Sequence, residues 1–158
     1  MTGDLDSLQL VDDSVHIMTT QRGVSEVKIY DIEAVKERYG FGPEHITDYK
    51  ALVGDTSDNI PATPGIGDKS ATTIIQEFGS VENILAKLDE VPEKFRKKLE
   101  GQEEQITKSK WLATIVRDAP VKYDFAPFKV SGDQIAAARD MLTGFEFSSH
   151  SRKLDSIM

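Results

Sequence analysis

The stretch Pro64-Gly65-Ile66-Gly67-Asp68-Lys69-Ser70-Ala71 decides the fold of this chain. Two glycines on either side of one apolar residue let the backbone turn sharply and approach a ligand closely. The sequence then predicts a helix that ends at Gly79 and carries apolar residues at helical spacing, namely Ala71, Ile74, Ile75 and Phe78. The first amides of such a helix lack intrahelical partners, so they can bind an anion beside the charge of Lys69.

Two other glycine motifs are excluded at this position. A P-loop needs Gly-Lys-Ser/Thr in succession, whereas Asp68 separates Gly67 from Lys69. A dinucleotide fingerprint needs a glycine where this chain has Ser70, and it needs a strand immediately before it. Two interpretations remain, which are a hairpin that binds one phosphate without base recognition and a structural loop that leads into a helix.

Acidic residues form two further motifs, Asp4 with Asp6 and Asp55 with Asp58. Asp55 and Asp58 are three residues apart, so on a helical turn they would share a face. Paired carboxylates favour a divalent cation, and their hard oxygens suit Mg²⁺ or Mn²⁺. Aspartates are also common in caps and turns, so taken singly each motif is better explained by a structural role.

The rest of the chain is predicted to be mainly helical, with a little β structure near its start. Asp31 is placed to cap a helix that Gly40 ends, and Ser80 to cap a later one. The other expected elements are strands at Val15–Met18 and Glu26–Tyr30 and helices from Pro43, from Pro92, over Glu103–Val116 and over Asp133–Leu142. In the helix from Glu103, the expected core side is Ile106, Trp111, Leu112 and Ile115. No periodicity is evident from Phe145 onward, and Tyr123–Val130 is expected to be irregular.

Composition limits the classes of function. The 158 residues carry a net charge of -8, from 27 acidic and 19 basic residues, so overall positive charge cannot bring nucleic acid to the protein. Any such binding must use a local site. With no cysteine, disulfides and thiolate metal sites are excluded. No apolar run approaches the ~20 residues that span a bilayer. We expect a cytoplasmic protein with no membrane partner.

The three motifs occur in an order that resembles one family. Gly-Asp-x-Asp, Gly-Asp-x-x-Asp-Asn-Ile-Pro and Pro-Gly-Ile-Gly-x-Lys-x-Ala together resemble the 5′-nuclease (flap endonuclease) family, and best the 5′→3′ exonuclease domain of bacterial DNA polymerase I. The resemblance runs from Thr2 to about Asp124. It implies a helix-hairpin-helix (helix-3-turn-helix, SAM-like) subdomain. The implied divisions are 1–30 as a remnant of the metal-site core, 31–145 as the DNA-binding subdomain with the hairpin motif at 60–79, and 146–158 as a tail.

The resemblance also implies a function and the residues that perform it. Two Mg²⁺ (or Mn²⁺) ions would hydrolyse a phosphodiester near a 5′ end, removing 5′ ends and RNA primers in replication and repair. Their ligands here would be Asp4, Asp6, Asp55 and Asp58. Double-stranded or 5′-flap DNA would be bound, independently of sequence, at Gly65, Ile66, Gly67, Lys69 and Ser70. A K⁺ ion on main-chain carbonyls of residues 62 to 67 and a polymerase domain in the same natural chain are further implications.

Two departures from the family pattern change these expectations. Ala62 and Thr63 stand where the family usually has Gly and Val, and Ala62 would cost ~1 kcal/mol if the turn needs a positive φ. The N-terminal half of the nuclease core does not match any part of this chain, so we expect little or no cleavage by the chain alone. The alternatives are a stand-alone, non-catalytic helix-hairpin-helix DNA-binding module and a protein-docking domain. The cationic run Lys94–Lys98 fits either a DNA contact or a solvated helix face.

Overall fold

The computed structural model describes residues 1–22, 26–123 and 129–154. Within these residues the chain has eight α-helices and one antiparallel pair of strands, which confirms the mainly α fold class with a small β portion near the N-terminus. The strands are β1 (Ile17–Arg22) and β2 (Glu26–Tyr30). The helices are α1 (Ile32–Tyr39), α2 (Ile46–Val53), α3 (Asp68–Phe78), α4 (Val81–Ala86), α5 (Glu93–Leu99), α6 (Glu103–Ala113), α7 (Gly132–Gly144) and α8 (Ser148–Leu154). The chain divides into two compact units, Met1–Asp118 and Ala119–Met158.

The N-terminal segment joins the strand pair through its backbone. Thr2 donates its amide to the carbonyl of Met18 in β1 at 2.9 Å. A 3₁₀ helix over Leu5–Leu10 follows, and Leu8 buries its side chain in the core of the first unit. The residues that carry Asp4 and Asp6 are therefore tied to both the strands and the core.

The predicted limits of α1 and the predicted start of α4 are confirmed. Asp31 accepts a hydrogen bond from the amide of Ala34 at 2.8 Å, and Gly40 ends α1 with a φ of 82°. Ser80 accepts from the amide of Asn83 at the start of α4, directly after Gly79 has ended α3. A side-chain oxygen at the N-cap satisfies an amide that has no partner within the helix, and for that reason these boundaries could be predicted.

One hydrophobic core fills the first unit, and α2 packs against both α3 and α6. Its fully buried side chains include Leu52, Ile74, Ile84, Leu99 and Ile106. Burying a side chain of this size contributes about 1.5–3 kcal/mol. This packing fixes where α2 ends and where α3 begins, and so it fixes the loop between them, residues 54–67, which carries two of the three motifs.

The predicted core side of α6 was partly wrong. Ile106 is buried as expected, but the indole of Trp111 is 73% exposed and Leu112 is 47% exposed. The helix ends at Ala113, and its buried residues are Ile106, Ser109 and Ala113. Five residues from Ile106, Trp111 lies about 140° around the helix from it. Ile115, also expected in this helix, lies beyond its end.

The second unit was only partly predicted. Ser131 and Gln134 form a capping box at the start of α7, which extends from Gly132 to Gly144. A further helix, α8, lies in the segment from Phe145 onward, where no periodicity was found. The predicted helix over Asp133–Leu142 lies within α7. α8 contains no buried residue among those described, so the core periodicity that reveals a helix in sequence is absent there. Residues 124–128 of the segment expected to be irregular, and 155–158 of the expected tail, lie outside the described residues.

Candidate metal centre and nucleic-acid interface

Three of the predicted carboxylates lie together. Asp6 lies in the N-terminal 3₁₀ helix, while Asp55 and Asp58 lie in the loop after α2. One ligand oxygen of each lies within 4.8 Å of the others. The fold therefore brings together two motifs that are far apart in sequence.

The loop that carries Asp55 is shaped by its own hydrogen bonds. Asp55 and Ile60 exchange backbone hydrogen bonds of 2.9 and 2.8 Å, which closes the loop at both ends. Ser57 donates its amide to Oδ1 of Asp55 at 2.9 Å. Gly54 has a φ of 73°, and a Cβ there would lie 2.6 Å from the amide nitrogen of Ala62. Only glycine allows α2 to end so close to the far side of the loop.

Asp4 lies near this group without joining it. One of its carboxylate oxygens accepts a hydrogen bond from the amide of Asp6 at 2.9 Å and so caps the 3₁₀ helix. Asp4, Asp6 and Asp55 all line one open cavity of about 590 Å³. The structure thus places Asp4 at the same cavity, with its side chain engaged in a local cap.

Lys50 is a member of this site that sequence reasoning missed. From the last turn of α2, its ammonium group contacts the carboxylates of both Asp6 and Asp55. The exposed fractions of the three side chains are only 14% for Lys50, 18% for Asp6 and 16% for Asp55. The available signal was a cation one helical turn before Gly54-Asp55, a common position for a cation near a helix C-terminus.

The charges at this site alter one another's pKa values. The hydrogen bonds from Lys50 and Ser57 lower the pKa of Asp55 to about 2. Burial raises the pKa of Asp6, even though Lys50 partly opposes the effect. Burial disfavours the charged form of Lys50, but its hydrogen bonds to Asp55 and Asp6 outweigh that and raise its pKa. The site is therefore one that stabilises a positive charge between two carboxylates.

The donor set fits a hard divalent cation. Its potential ligands are carboxylate oxygens only. Such hard ligands bind Mg²⁺ and Mn²⁺ in preference to softer ions. The ammonium of Lys50 already takes the place of a cation between Asp6 and Asp55. Because the cavity is open to solvent, a metal ion and an oxygen ligand could reach these residues.

The hairpin motif has the geometry that the sequence predicts. Gly65 has a φ of 77°, Ile66 is buried beneath it, and Gly67 precedes α3 without a side-chain cap. Ala71 makes the first bond of the helix, to the carbonyl of Gly67 at 3.0 Å. Lys69 is exposed. The glycine at the start of α3 thus leaves its first amides accessible to an anion.

Side chains from α5 and α6 brace the hairpin. Lys98 donates to the carbonyl of Gly65 at 2.8 Å, and Gln105 donates to that of Ala62 at 3.1 Å. The amide of Thr63 donates to the carbonyl of Leu52 at 2.9 Å. Asn59 and Glu146 are the non-glycine residues with positive φ among those described, so Ala62 carries no such strain. The concern that Ala62 would distort the turn is therefore removed.

A buried carboxylate connects α2 to the two helices behind it. Asp48 accepts from the amide of Val81 at 2.8 Å and from Nζ of Lys110 at 2.7 Å. Its other oxygen lies 3.0 Å from Nδ1 of His45, a residue to which the sequence assigned no role. Lys110 also contacts Glu82 at 2.7 Å. This network fixes the α3–α4 turn against α2 and so supports the hairpin from behind.

Comparison with known proteins agrees with this arrangement. A family model for the 5′-3′ exonuclease, C-terminal SAM fold, matches residues 41–136, more than half of the chain. The chain belongs to this family. The match includes α2, the acidic loop, the hairpin and α3 to α6 of the exonuclease fold, and the predicted helix-hairpin-helix, SAM-like fold is confirmed.

The relatives of this chain are much longer. DNA polymerase I of Bacillus caldotenax is 40% identical over 157 residues, which cover 99% of this chain and 18% of that protein. DNA polymerase I of Bacillus subtilis is 43% identical over 132 residues, which cover 83% of this chain and 15% of that protein. The chain thus spans less than one fifth of the curated relatives that it matches.

A solved structure supports the same assignment. The bacteriophage T5 flap endonuclease, in a complex with DNA and metal ions, has a TM-score of 0.60 and 28% sequence identity. The similarity covers 71% of this chain and 40% of that one. In the part of the chain that the structure describes, no helix combines the length and hydropathy needed to cross a bilayer.

Proposed function

We propose that this chain is the DNA-binding part of a 5′→3′ exonuclease or flap endonuclease that removes 5′ ends and RNA primers. The observation that carries the proposal is the direct continuity of the acidic loop with the hairpin, within residues 54–67. Double-stranded or 5′-flap DNA would meet the α3 amides and Lys69 at the hairpin, with Gly65, Ile66, Gly67 and Ser70 shaping the backbone. Contacts of this kind position a duplex without recognising its bases, so binding would be independent of sequence.

The acidic cluster is proposed as part of the metal site of the complete nuclease. Asp6, Asp55 and Asp58 would bind Mg²⁺ or Mn²⁺ directly, and Asp4 would contribute from the wall of the same cavity. When bound, the metal would supply an activated water and stabilise the leaving oxygen. Lys50 would hold Asp6 and Asp55 in place before metal binds. Further carboxylates would come from a segment that matches no part of this chain, so the chain alone is expected to be inactive.

The remaining parts of the proposal follow the family pattern. Residues 1–30 would belong to the metal-site core, 31–145 to the DNA-binding subdomain and 146–158 to a tail. A polymerase domain would lie in the same natural chain, and the protein would act in the cytoplasm. A K⁺ ion would use hairpin carbonyls between residues 62 and 67. Of these carbonyls, Gly65 and Ala62 already accept side-chain hydrogen bonds, so K⁺ would compete with Lys98 and Gln105.

A cleavage and binding assay tests the proposal. The purified chain is incubated with a 5′-labelled flap duplex in Mg²⁺ and separately in Mn²⁺, beside the Asp55→Asn variant. We expect no cleavage and a gel shift that Lys69→Met weakens. Cleavage lost in Asp55→Asn would show that this chain alone has a working metal site. No cleavage and no shift would refute DNA binding and favour a protein-docking domain.

A further inference from the structure

The cations of α5 differ in the partners that their side chains have. Lys97 contacts Glu93 at 2.5 Å on the same helix, and Arg96 lies 3.3 Å from Glu100 at the helix C-cap, so both are paired with a nearby carboxylate. Among the described residues, no carboxylate lies within 4.0 Å of Nζ of Lys98. The charge of Lys98 is therefore not neutralised locally, unlike the charges of Arg96 and Lys97.

Lys98 is held at the hairpin instead. Its Nζ donates to the carbonyl of Gly65 at 2.8 Å, although 33 residues separate the two. The end of its side chain lies across Gly65, because a Cβ there would be 3.3 Å from both Cδ and Cε. Gly65 thus has two reasons to lack a side chain, its φ of 77° and the close approach of Lys98.

An ammonium group anchored in this way can still bind an anion. It has three N–H donors, and the Gly65 carbonyl uses one of them. The other donors and the full charge remain available on an exposed side chain. Gly65 lies two residues before Gly67, whose backbone precedes the free amides of α3. Two kinds of anion-binding donor, amides and an ammonium, therefore lie at the same turn.

We propose that Lys98 is a second phosphate-binding cation of this interface and acts together with Lys69 on the DNA backbone. The inference rests on the proposed DNA-binding function and identifies α5 as part of the same contact surface. It also separates Lys98 from Arg96 and Lys97, which already have carboxylate partners, and from Lys94, whose ammonium group lies over the ring of Phe95. Its ligand is the phosphate backbone of a duplex, and no base is recognised.

A purely structural role makes a different prediction. If Lys98 only holds the hairpin closed, its loss would lower the melting temperature and weaken DNA binding equally at all salt concentrations. If it neutralises a phosphate, its loss removes one released counterion, and the slope of log K against log [salt] falls in magnitude by about 0.9. Salt dependence thus distinguishes the two roles.

The test uses the whole chain and a short, blunt, fluorescently labelled duplex. Binding is measured by anisotropy in NaCl between about 50 and 200 mM, at a constant KCl concentration because K⁺ is itself a proposed ligand of the hairpin. The variants are Lys98→Met, which keeps the length of the side chain, and Lys98→Arg, which keeps the charge. Lys97→Met is the matched control, because it makes the same charge change one residue away, at a cation paired with Glu93. Lys69→Met reports on the hairpin itself, and the melting temperature of every variant is recorded.

We expect Lys98→Met to reduce the magnitude of the slope of log K against log [salt] by about 0.9. Lys97→Met and Lys98→Arg should leave the slope unchanged. A normal slope in Lys98→Met, with or without a lower melting temperature, would refute the inference. If Lys69→Met lowers the slope in that case, the proposed function stands and only the role of Lys98 fails. If the unmodified chain binds no duplex at any salt concentration, both the proposed function and the inference are refuted.

Discussion

Replacing Lys50 with methionine would separate the contribution of the acidic cluster to the stability of the fold from its proposed binding of metal. The substitution keeps most of the side-chain volume and removes the charge between Asp6 and Asp55. Two partly buried carboxylates then face each other and Asp58 without a cation. The variant should be less stable than the unmodified chain in metal-free buffer and should respond more strongly to Mg²⁺.

The size of the first effect follows from the pKa of Asp55. A decrease from 3.8 to about 2 corresponds to about 2.4 kcal/mol, and the hydrogen bond from Lys50 is its largest cause. Solvent in the open cavity screens part of this energy, so we take about 1–2 kcal/mol as the cost of losing the ammonium. For a chain of this size, that lowers the melting temperature by about 2–8 °C.

The second effect has the opposite sign. In the unmodified chain a metal ion must compete with the ammonium of Lys50 for the same oxygens. Removing a unit charge a few ångströms away should strengthen Mg²⁺ binding about tenfold, or about 1.4 kcal/mol. A ligand that binds only the folded state stabilises it in proportion to log(1 + [L]/Kd). Mg²⁺ should therefore recover most of the stability that the variant lost.

The assay is thermal unfolding at neutral pH across a Mg²⁺ titration, with EDTA as the zero point. Lys36→Met is the matched control, since it removes a lysine whose partner Glu33 is largely exposed. The control should melt like the unmodified chain and show the same response to Mg²⁺. An equal Mg²⁺-induced shift in Lys50→Met and in the unmodified chain would refute competition between Lys50 and the metal.

Two further predictions concern the buried network behind the hairpin. Asp48→Asn should lower the free energy of unfolding by about 2–3 kcal/mol, since Asp48 is only 2% exposed and its loss leaves Lys110 with Glu82 as its remaining carboxylate. The midpoint of urea unfolding should fall while the slope m stays unchanged. A loss below about 1 kcal/mol would contradict a structural role for this network. Burial of Glu82 opposes its ionisation, but its hydrogen bonds, above all that from Lys110, outweigh burial and lower the pKa of Glu82 below 4.5. Ionised Glu82 therefore stabilises the folded state above pH 4.5, and this stability is lost as the pH falls below 4.5. Urea unfolding of Glu82→Gln and the unmodified chain should therefore converge below pH 4.5, and a constant difference down to acid pH would exclude this ion pair as the cause.

Local signals in the sequence were sufficient for most helix limits in the first unit. Asp31 and Gly40 define α1 because a capping oxygen and a left-handed glycine act within a few residues of themselves. The predicted core side of α6 was partly wrong because the hydrophobicity of Trp111 and Leu112 was given more weight than their angular positions around the helix. Ile106, Ser109 and Ala113 share a face, whereas Trp111, the largest apolar residue of the helix, lies on the opposite one.

The site was predictable in its residue types and less so in its contacts. Asp55 and Asp58 lie in one short loop, so their proximity follows from sequence. That Asp6 joins them depends on the packing of the N-terminal 3₁₀ helix against α2, which no local rule gives. Lys50 was missed, and the contact of Lys98 with Gly65 was not predicted, because each side chain reaches a partner more than 30 residues away.

The short loop between α2 and α3 shapes the fold and, in the proposed nuclease, would also set a distance along the DNA. Two backbone hydrogen bonds join Asp55 to Ile60, and another joins the amide of Thr63 to the carbonyl of Leu52. These bonds restrain the loop, so the distance from the acidic residues to Gly65 can change little. In the proposed nuclease, the scissile bond would then lie a constant number of nucleotides from the phosphate bound at the hairpin. The length of the loop would then determine where the 5′ strand is cut.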